Sequence, residues 1–190
     1  RVGLAGHSAG GLSAFLAASR HAVDALLLFD AVDNNGLGAA ATSNVTPPTL
    51  FLAAESSTCN SSNNSLPWFD DLTGLKGKLK VVGATHCEPQ DPLSSTCTAA
   101  CGGSTQQARQ ALFRTYGLAF FDRFLNGVTM PCLEATAQTD ATAGALETHV
   151  TVWVARLPPR VARNVFGGPA TVTARVAGRI AGGVAFLTCV

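Results

Sequence analysis

A serine flanked by small residues near the start of the chain is the first candidate for chemistry. Ser8 lies in the stretch GHSAGG, with Gly6 two residues before it and Gly10 two residues after it. The G-x-S-x-G spacing is typical of a sharp strand-to-helix turn that holds a serine hydroxyl clear of the backbone. Because such a turn is strained, the flanking residues must be small. The alternative interpretation is a tight turn in which the serine has no chemical role.

The segments on either side of Ser8 favour the chemical interpretation. The preceding residues RVGLA form a short apolar run of strand length. The following segment GLSAFLAASRH places Leu12, Phe15 and Leu16 at the spacing of one buried helix face. The sequence therefore predicts a strand, a turn and a helix, with Ser8 as a nucleophile.

A serine hydroxyl becomes a good nucleophile only when a base takes its proton, and the base needs an orienting acid. Of the four histidines, His7 lies within the turn, His21 closes the predicted helix, and His149 lies near the end of the chain. Only His86 follows directly after a predicted strand and downstream of the serine. Catalytic groups collect at the carboxyl ends of parallel strands, so we predict His86 as the base.

Two carboxylates remain open as the acid. Asp30 ends the strand after the first helix, and Glu55 ends the next strand, so either could face the imidazole. Asp33 lies further along the loop than Asp30. Asp91, five residues beyond His86, is typical of a loop or capping carboxylate. The sequence of residues alone does not decide whether Asp30 or Glu55 is the acid.

The order of predicted elements indicates an α/β protein with a mainly parallel sheet flanked by helices. Strands are predicted at 1–5 and 25–29, and two more begin at Thr49 and Lys78. Helices are predicted directly after Ser8, at 66–75 and at 106–125, and the last of these ends before Gly127. Two later segments, HVTVWVARL and ATVTARVAG, alternate apolar and polar residues as half-buried strands do.

Charge divides the chain into two parts. All twelve acidic residues lie at or before Glu147, against eight basic residues there, whereas the last 43 residues carry five arginines and no acid. We therefore predict a catalytic domain over residues 1–145 and a tail over 146–190, either a small β-rich element or an unrelated reading of the gene.

A composition of 47% apolar and 13% charged residues argues against disorder and nucleic-acid binding. No apolar run approaches the roughly 18 residues of a membrane span.

Six cysteines, an even number, favour an oxidising environment and predict that the protein is secreted or lies in another oxidising compartment. A disulfide among Cys87, Cys97 and Cys101 would fix the loop that carries His86. A zinc site built from these cysteines and His86 is the less favoured alternative, because the spacing is irregular and contains no C-x-x-C pair. No metal or cofactor is predicted. Formal glycosylation sequons, to which we attach no functional weight, begin at Asn44, Asn60 and Asn63.

These motifs resemble segments of several known esterase families. GHSAGG followed by LLLFDAVDNNG resembles the chlorophyllases and the platelet-activating-factor acetylhydrolases of the α/β-hydrolase fold, in which this strand ends in the catalytic aspartate, here Asp30. TPPTLFLAAESS, SLPWFDDL, GATHC and FFDRFLNG are also similar to segments of bacterial cutinase-type polyester hydrolases and dienelactone-hydrolase-like esterases. Those enzymes carry the acid two positions beyond the glutamate, where this chain has Ser57, which cannot serve. The resemblance covers residues 1 to about 130.

The resemblance implies a serine esterase of α/β-hydrolase fold that acts on a small-molecule or lipid-like carboxylic ester. Ser8 would be the nucleophile, Asp30 the acid, His86 the general base, and the backbone N–H of Ala9 one oxyanion donor. It further implies that the second oxyanion donor and earlier strands of the sheet precede Arg1. The alternatives are a non-catalytic binding protein of the same fold and an inactive truncated or spliced fragment. The sequence does not indicate an oligomeric state.

Overall fold

The computed structural model describes residues 1–103, 106–128 and 133–150. Its strands are β1 (Gly3–His7), β2 (Ala25–Phe29), β3 (Thr49–Ala53), β4 (Lys76–Val81) and β5 (Leu146–Val150). Its helices are α1 (Ala9–Ala18), α2 (Leu37–Ala41), α3 (Trp68–Asp71), α4 (Ser95–Cys101), α5 (Gln107–Phe121) and α6 (Leu133–Thr142). A 3₁₀ turn (Thr42–Asn44) follows α2, and a π-helical turn (Asp122–Asn126) extends α5.

The five strands form one sheet in the order β1-β2-β3-β4-β5. The first four are parallel, and β5 runs antiparallel to β4. Within the described residues, β1 pairs with β2 alone. Because β1 to β4 are parallel, the loops that follow them emerge at the same edge of the sheet, and this edge carries Ser8, Asp30 and His86.

Both faces of the sheet are covered, which explains the continuous apolar run of β2. Leu26 and Leu28 point to the face where α1, α2 and α3 pack, whereas Ala25 and Leu27 point to the opposite face, where α5 and α6 pack. Burying each leucine contributes about 1.5–3 kcal/mol to folding. The largest buried aromatic residues also divide between the two faces: Phe15, Phe51 and Trp68 on the first, and Phe113, Tyr116 and Phe120 on the second.

The predicted α/β class and the mainly parallel sheet are confirmed, with several differences in element bounds. β2 coincides with its predicted range, and the helix after Gln106 ends at Gly127, which has a φ of 69° and stops the helix. The helix expected at 66–75 shortens to α3, and β4 begins two residues before Lys78. The loop before Pro47 contains α2, a helix that the loop-like composition of that segment concealed.

The predicted boundary at residue 145 falls directly before β5. The first five residues of the predicted tail therefore belong to the same sheet as the preceding part of the chain. Residues 151–190, including ATVTARVAG, lie outside the described residues. Among the helices that the structure describes, none combines the length and apolar composition needed to cross a membrane.

Candidate active site

Ser8 occupies a strained turn between β1 and α1. Its backbone has φ 55° and ψ −125°, a combination that residues other than glycine rarely adopt. The Ser8 N–H donates to the carbonyl of Phe29 (3.1 Å), which ties the turn to the end of β2. Although Ser8 is the N-cap residue of α1, its side chain makes no capping hydrogen bond. The hydroxyl is therefore directed away from the helix and toward the site.

Close approach of backbone segments explains two of the glycines around Ser8. A Cβ at Gly6 would lie 2.1 Å from the carbonyl oxygen of Gly10, and one at Gly11 would lie 2.6 Å from the Cβ of Ala31. A Cβ at Gly10 would meet nothing within 4 Å. Gly10 therefore belongs to the motif without a steric need for glycine, contrary to the expectation that both flanking residues must be small.

His86 lies in the loop after β4, with a ring that faces Ser8 on one side and Asp30 on the other. Its Nε2 lies 2.9 Å from Ser8 Oγ, and its Nδ1 lies 2.6 Å from Asp30 Oδ2. With Nδ1–H donating to the carboxylate, Nε2 is free to accept the Ser8 hydroxyl proton. His86 is only 6% exposed, which shields these hydrogen bonds from water.

Asp30 directly follows β2 and has a backbone conformation with a φ of 39°. Aspartate tolerates positive φ better than most residues. The residue is 3% exposed, and a buried carboxylate is costly unless hydrogen-bond donors surround it. Besides His86, the Ala54 N–H donates to Oδ1 (2.9 Å) and the Asn60 side-chain amide donates to Oδ2 (3.1 Å). The carboxylate is thus fixed from three directions.

Glu55, the other candidate acid, makes its contacts elsewhere. Its carboxylate accepts the N–H of Gly83 (2.9 Å) and pairs with Lys80 Nζ (3.2 Å). The Gly83 hydrogen bond lowers the pKa of Glu55 against the effect of partial burial, and Lys80 lowers the pKa further. The side chain is 41% exposed. The structure places Asp30, and not Glu55, against the imidazole.

The other two carboxylates considered as acids also have structural partners. Asp33 accepts the N–H groups of Gly38 and Ala39 at the start of α2 and the indole N–H of Trp68. Burial alone would raise the pKa of Asp33, but these donors together lower it. Asp91 forms an exposed ion pair with Arg114 (3.2 Å).

His7, the residue before the serine, supports the loop of His86. Its Nε2–H donates to the backbone carbonyl of His86 (2.7 Å), and the Gln90 side-chain amide lies 3.4 Å from its Nδ1. The two imidazole rings are 4.7 Å apart between centroids. Burial lowers the pKa of His7 despite the backbone hydrogen bond, which raises it, and the adjacent His86 lowers it further. His7 is therefore a neutral hydrogen-bond donor and not a second charged group.

The remaining candidates occupy different positions. Ala9 is the first residue of α1, so its N–H has no acceptor within the helix and is available to a negative charge beside Ser8. The positive end of the helix dipole reinforces this preference. His21 lies exposed after α1. His149 belongs to β5, and its side chain lies outside the described residues.

Four cysteines form two disulfides next to the site. Cys87–Cys97 joins the residue after His86 to α4, which confirms the predicted disulfide in this loop, and Cys59–Cys101 joins the loop after β3 to the same helix. Although Sγ atoms of Cys87, Cys97 and Cys101 lie within 4.8 Å of one another, zinc binds thiolates and these sulfurs are in disulfides. Two disulfides suggest an oxidising environment. Cys132 and Cys189 lie outside the described residues.

Two contributors to the site were missed from the sequence. Glu88, 1% exposed, accepts the N–H groups of Thr85 and Gln106 and the guanidinium Nε of Arg109, and so fastens the His86 loop to α5. Its position in the sequence, two residues after His86, could have identified it as a residue that supports the His86 loop. Asn60 appeared only as a sequon, because its partner Asp30 is thirty residues away in the sequence.

No protein-family model and no curated protein matches the chain. The function of the chain is therefore inferred from the geometry of the site.

Proposed function

We propose that this protein is a serine hydrolase that cleaves carboxylic esters. The observation that carries the proposal is the continuous series of contacts from Ser8 Oγ to His86 Nε2 (2.9 Å) and from His86 Nδ1 to Asp30 Oδ2 (2.6 Å). A hydroxyl, an imidazole and a carboxylate in this order are the three groups of a nucleophile, its base and the orienter of that base.

In the proposed reaction Ser8 Oγ attacks the ester carbonyl carbon while its proton passes to His86 Nε2. The Asp30 carboxylate stabilises the imidazolium through the Nδ1–H hydrogen bond and does not itself take the proton. The carbonyl oxygen becomes negative next to the Ala9 N–H. His86 then protonates the leaving alcohol, and an acyl group remains on Ser8. A water molecule, deprotonated by His86, releases the acid and restores the serine hydroxyl.

We also propose that the protein has an α/β-hydrolase fold and is secreted. The sheet order, the strained serine between β1 and α1, and the histidine after β4 support an α/β-hydrolase fold. The two disulfides support secretion. Ala9 is exposed beside the half-buried Ser8, so an ester could approach the nucleophile from solvent. We propose a small-molecule or lipid-like ester as the substrate.

The test compares Ser8→Ala with Ser13→Ala. Ser13 is an exposed serine on α1 whose hydroxyl donates to the Ala9 carbonyl, so its loss controls for removing a hydroxyl from the same helix. Hydrolysis of p-nitrophenyl esters of increasing acyl length is measured, and a fluorophosphonate probe reports an activated serine. We expect Ser8→Ala to lower turnover by roughly 10⁴-fold or more, with the probe attached to Ser8 in the unmodified protein and in Ser13→Ala.

Two outcomes would contradict the proposal. One is ester turnover that survives Ser8→Ala unchanged. The other is a folded protein that neither hydrolyses any ester in the series nor reacts with the probe, which would favour a non-catalytic binding protein.

A further inference from the structure

Asn60 lies in the loop after β3 and is completely buried, with 0% of the residue exposed. The loop turns sharply around it, because Ser61, Ser62 and Asn63 all have positive φ. Cys59, the residue before Asn60, is covalently joined to α4. A buried amide needs partners for both of its ends, and the partners of Asn60 determine which way it points.

The hydrogen bonds fix the orientation of the Asn60 amide without ambiguity. Its Oδ1 accepts two backbone N–H groups, those of Ser57 (2.8 Å) and Asn63 (3.1 Å). Its Nδ2 must therefore point the other way, where it donates to the Glu55 carbonyl (2.7 Å) and to the Asp30 carboxylate (3.1 Å to Oδ2 and 3.3 Å to Oδ1). The oxygen end of the side chain closes the loop, and the nitrogen end contacts both the Glu55 carbonyl of the same loop and the candidate acid.

We propose that Asn60 is a positioning residue that holds the Asp30 carboxylate in the orientation required by His86; this inference rests on the proposed function. Asp30 Oδ1 accepts the Ala54 N–H, and Oδ2 accepts His86 Nδ1–H. With only one donor at each oxygen, the carboxylate can still rotate about the line through its two oxygens. The Asn60 amide, which reaches both oxygens, removes this freedom. As a neutral donor it stabilises the buried negative charge without adding a cation that would compete with the imidazolium.

A purely structural role for Asn60 is the competing explanation, and one substitution separates the two. In Asn60→Asp, an oxygen remains to accept the Ser57 and Asn63 N–H groups, so these two loop hydrogen bonds are kept, while the one to the Glu55 carbonyl is lost. The donor is replaced by an oxygen that faces the Asp30 carboxylate at about hydrogen-bond distance, where like charges repel. A structural role predicts little change in turnover, whereas a positioning role predicts a large loss.

Asn63→Asp is the matched control. Asn63 lies in the same loop, and its side-chain amide donates to the backbone carbonyl of Ala54 (3.3 Å) and not to Asp30. The substitution introduces the same charge and removes a comparable hydrogen bond to the end of β3. It preserves the Asn60–Asp30 contact.

The experiment measures kcat and KM on a p-nitrophenyl ester, the melting temperature, and the proton NMR signal of the His86 Nδ1–H that is shared with Asp30. We expect Asn60→Asp to lower kcat by about 10²-fold with KM little changed, since Asn60 acts through Asp30 and a small misplacement costs this much. We expect the low-field imidazole signal to shift or disappear. Asn63→Asp should stay within about threefold of the unmodified kcat and keep the signal.

The possible results all bear on the proposal. Equal effects of the two substitutions, whether both small or both large, would overturn it in favour of a loop role. If the unmodified protein shows no Ser8-dependent turnover but Asn60→Asp alone alters the NMR signal, the esterase proposal fails while the positioning of the Asp30–His86 pair stands.

If Asn60→Asp does not fold, the double variant Asp30→Asn with Asn60→Asp decides the question. Recovery of folding by Asp30→Asn demonstrates direct coupling between the two side chains. Failure of both variants would assign Asn60 to the loop alone and overturn the proposal.

Discussion

Replacing Asp30 by asparagine changes one atom of the contact with His86 and reverses its polarity. The carboxylate oxygen 2.6 Å from Nδ1 accepts a hydrogen bond from Nδ1–H and so keeps the imidazole in the tautomer whose Nε2 can accept the Ser8 hydroxyl proton. An asparagine whose NH₂ faces Nδ1 donates instead. The ring must then carry its proton on Nε2, where it blocks removal of the Ser8 hydroxyl proton.

The expected loss in turnover is about 10⁴-fold, the effect of the wrong tautomer in a serine triad, or roughly 5.5 kcal/mol of transition-state stabilisation. Glu55→Gln provides the comparison, because Glu55 lies just after the neighbouring strand β3 and is the other candidate acid. The glutamine can still accept the Gly83 N–H, and it loses only an ion pair with Lys80 that is substantially exposed on the Glu55 side. An exposed pair contributes about 0–1 kcal/mol, so turnover should fall less than tenfold.

The assay is side-by-side steady-state kinetics on one p-nitrophenyl ester, with thermal melts to show that both variants are folded. A larger loss in Glu55→Gln than in Asp30→Asn would refute the assignment of the acid. If turnover falls equally and only slightly in both variants, the imidazole needs no carboxylate in this protein. The proposed role of Asp30 as the orienter of His86 would then be wrong.

Two further predictions concern the support of the His86 loop. Burial lowers the pKa of His7 in the folded protein below the value of 6.5 expected for the unfolded chain. The unfolded chain therefore binds more protons in the pH window around and between these two pKa values, so the free energy of unfolding should fall as the pH is lowered through this window. We expect His7→Gln, measured by urea denaturation at several pH values, to remove that part of the fall; an unchanged pH slope would contradict the reasoning. Glu88→Gln should lower the free energy of unfolding by about 1.5–3 kcal/mol, because it weakens charge-assisted hydrogen bonds to a buried carboxylate. Arg114→Gln, which breaks the exposed pair with Asp91, should lower it by less than about 1 kcal/mol. Equal losses in the two variants would count against an anchoring role for Glu88.

Features encoded by neighbouring residues could be predicted from the sequence. The small residues around Ser8 anticipated the turn between β1 and α1, and the apolar run at 25–29 anticipated β2. The position of His86 after a strand placed it at the edge of the sheet shared with Ser8. In each case the determining pattern lies within about ten residues, where periodicity and turn chemistry act.

Features that depend on how loops fold back could not be predicted. Asp30 and Glu55 both lie just after parallel strands, and their order in the sequence does not say which side chain turns toward His86. The positive φ of Asp30 and the hydrogen bonds of Glu55 to Gly83 and Lys80 decide this, and all of them arise from tertiary packing. Asn60 could not be identified for the same reason, since its role exists only where two loops meet.

Helix α4 connects these loops and differs from the other helices beside the site. None of its residues is buried, so hydrophobic packing contributes little to its attachment. Instead, Cys101 joins it to the loop of Asn60 and Cys97 joins it to the loop of His86. The loop that contacts Asp30 and the loop that carries His86 are therefore cross-linked to the same helix. Because a covalent cross-link restricts the unfolded chain, the two disulfides stabilise the attachment of α4, which has no buried residues of its own.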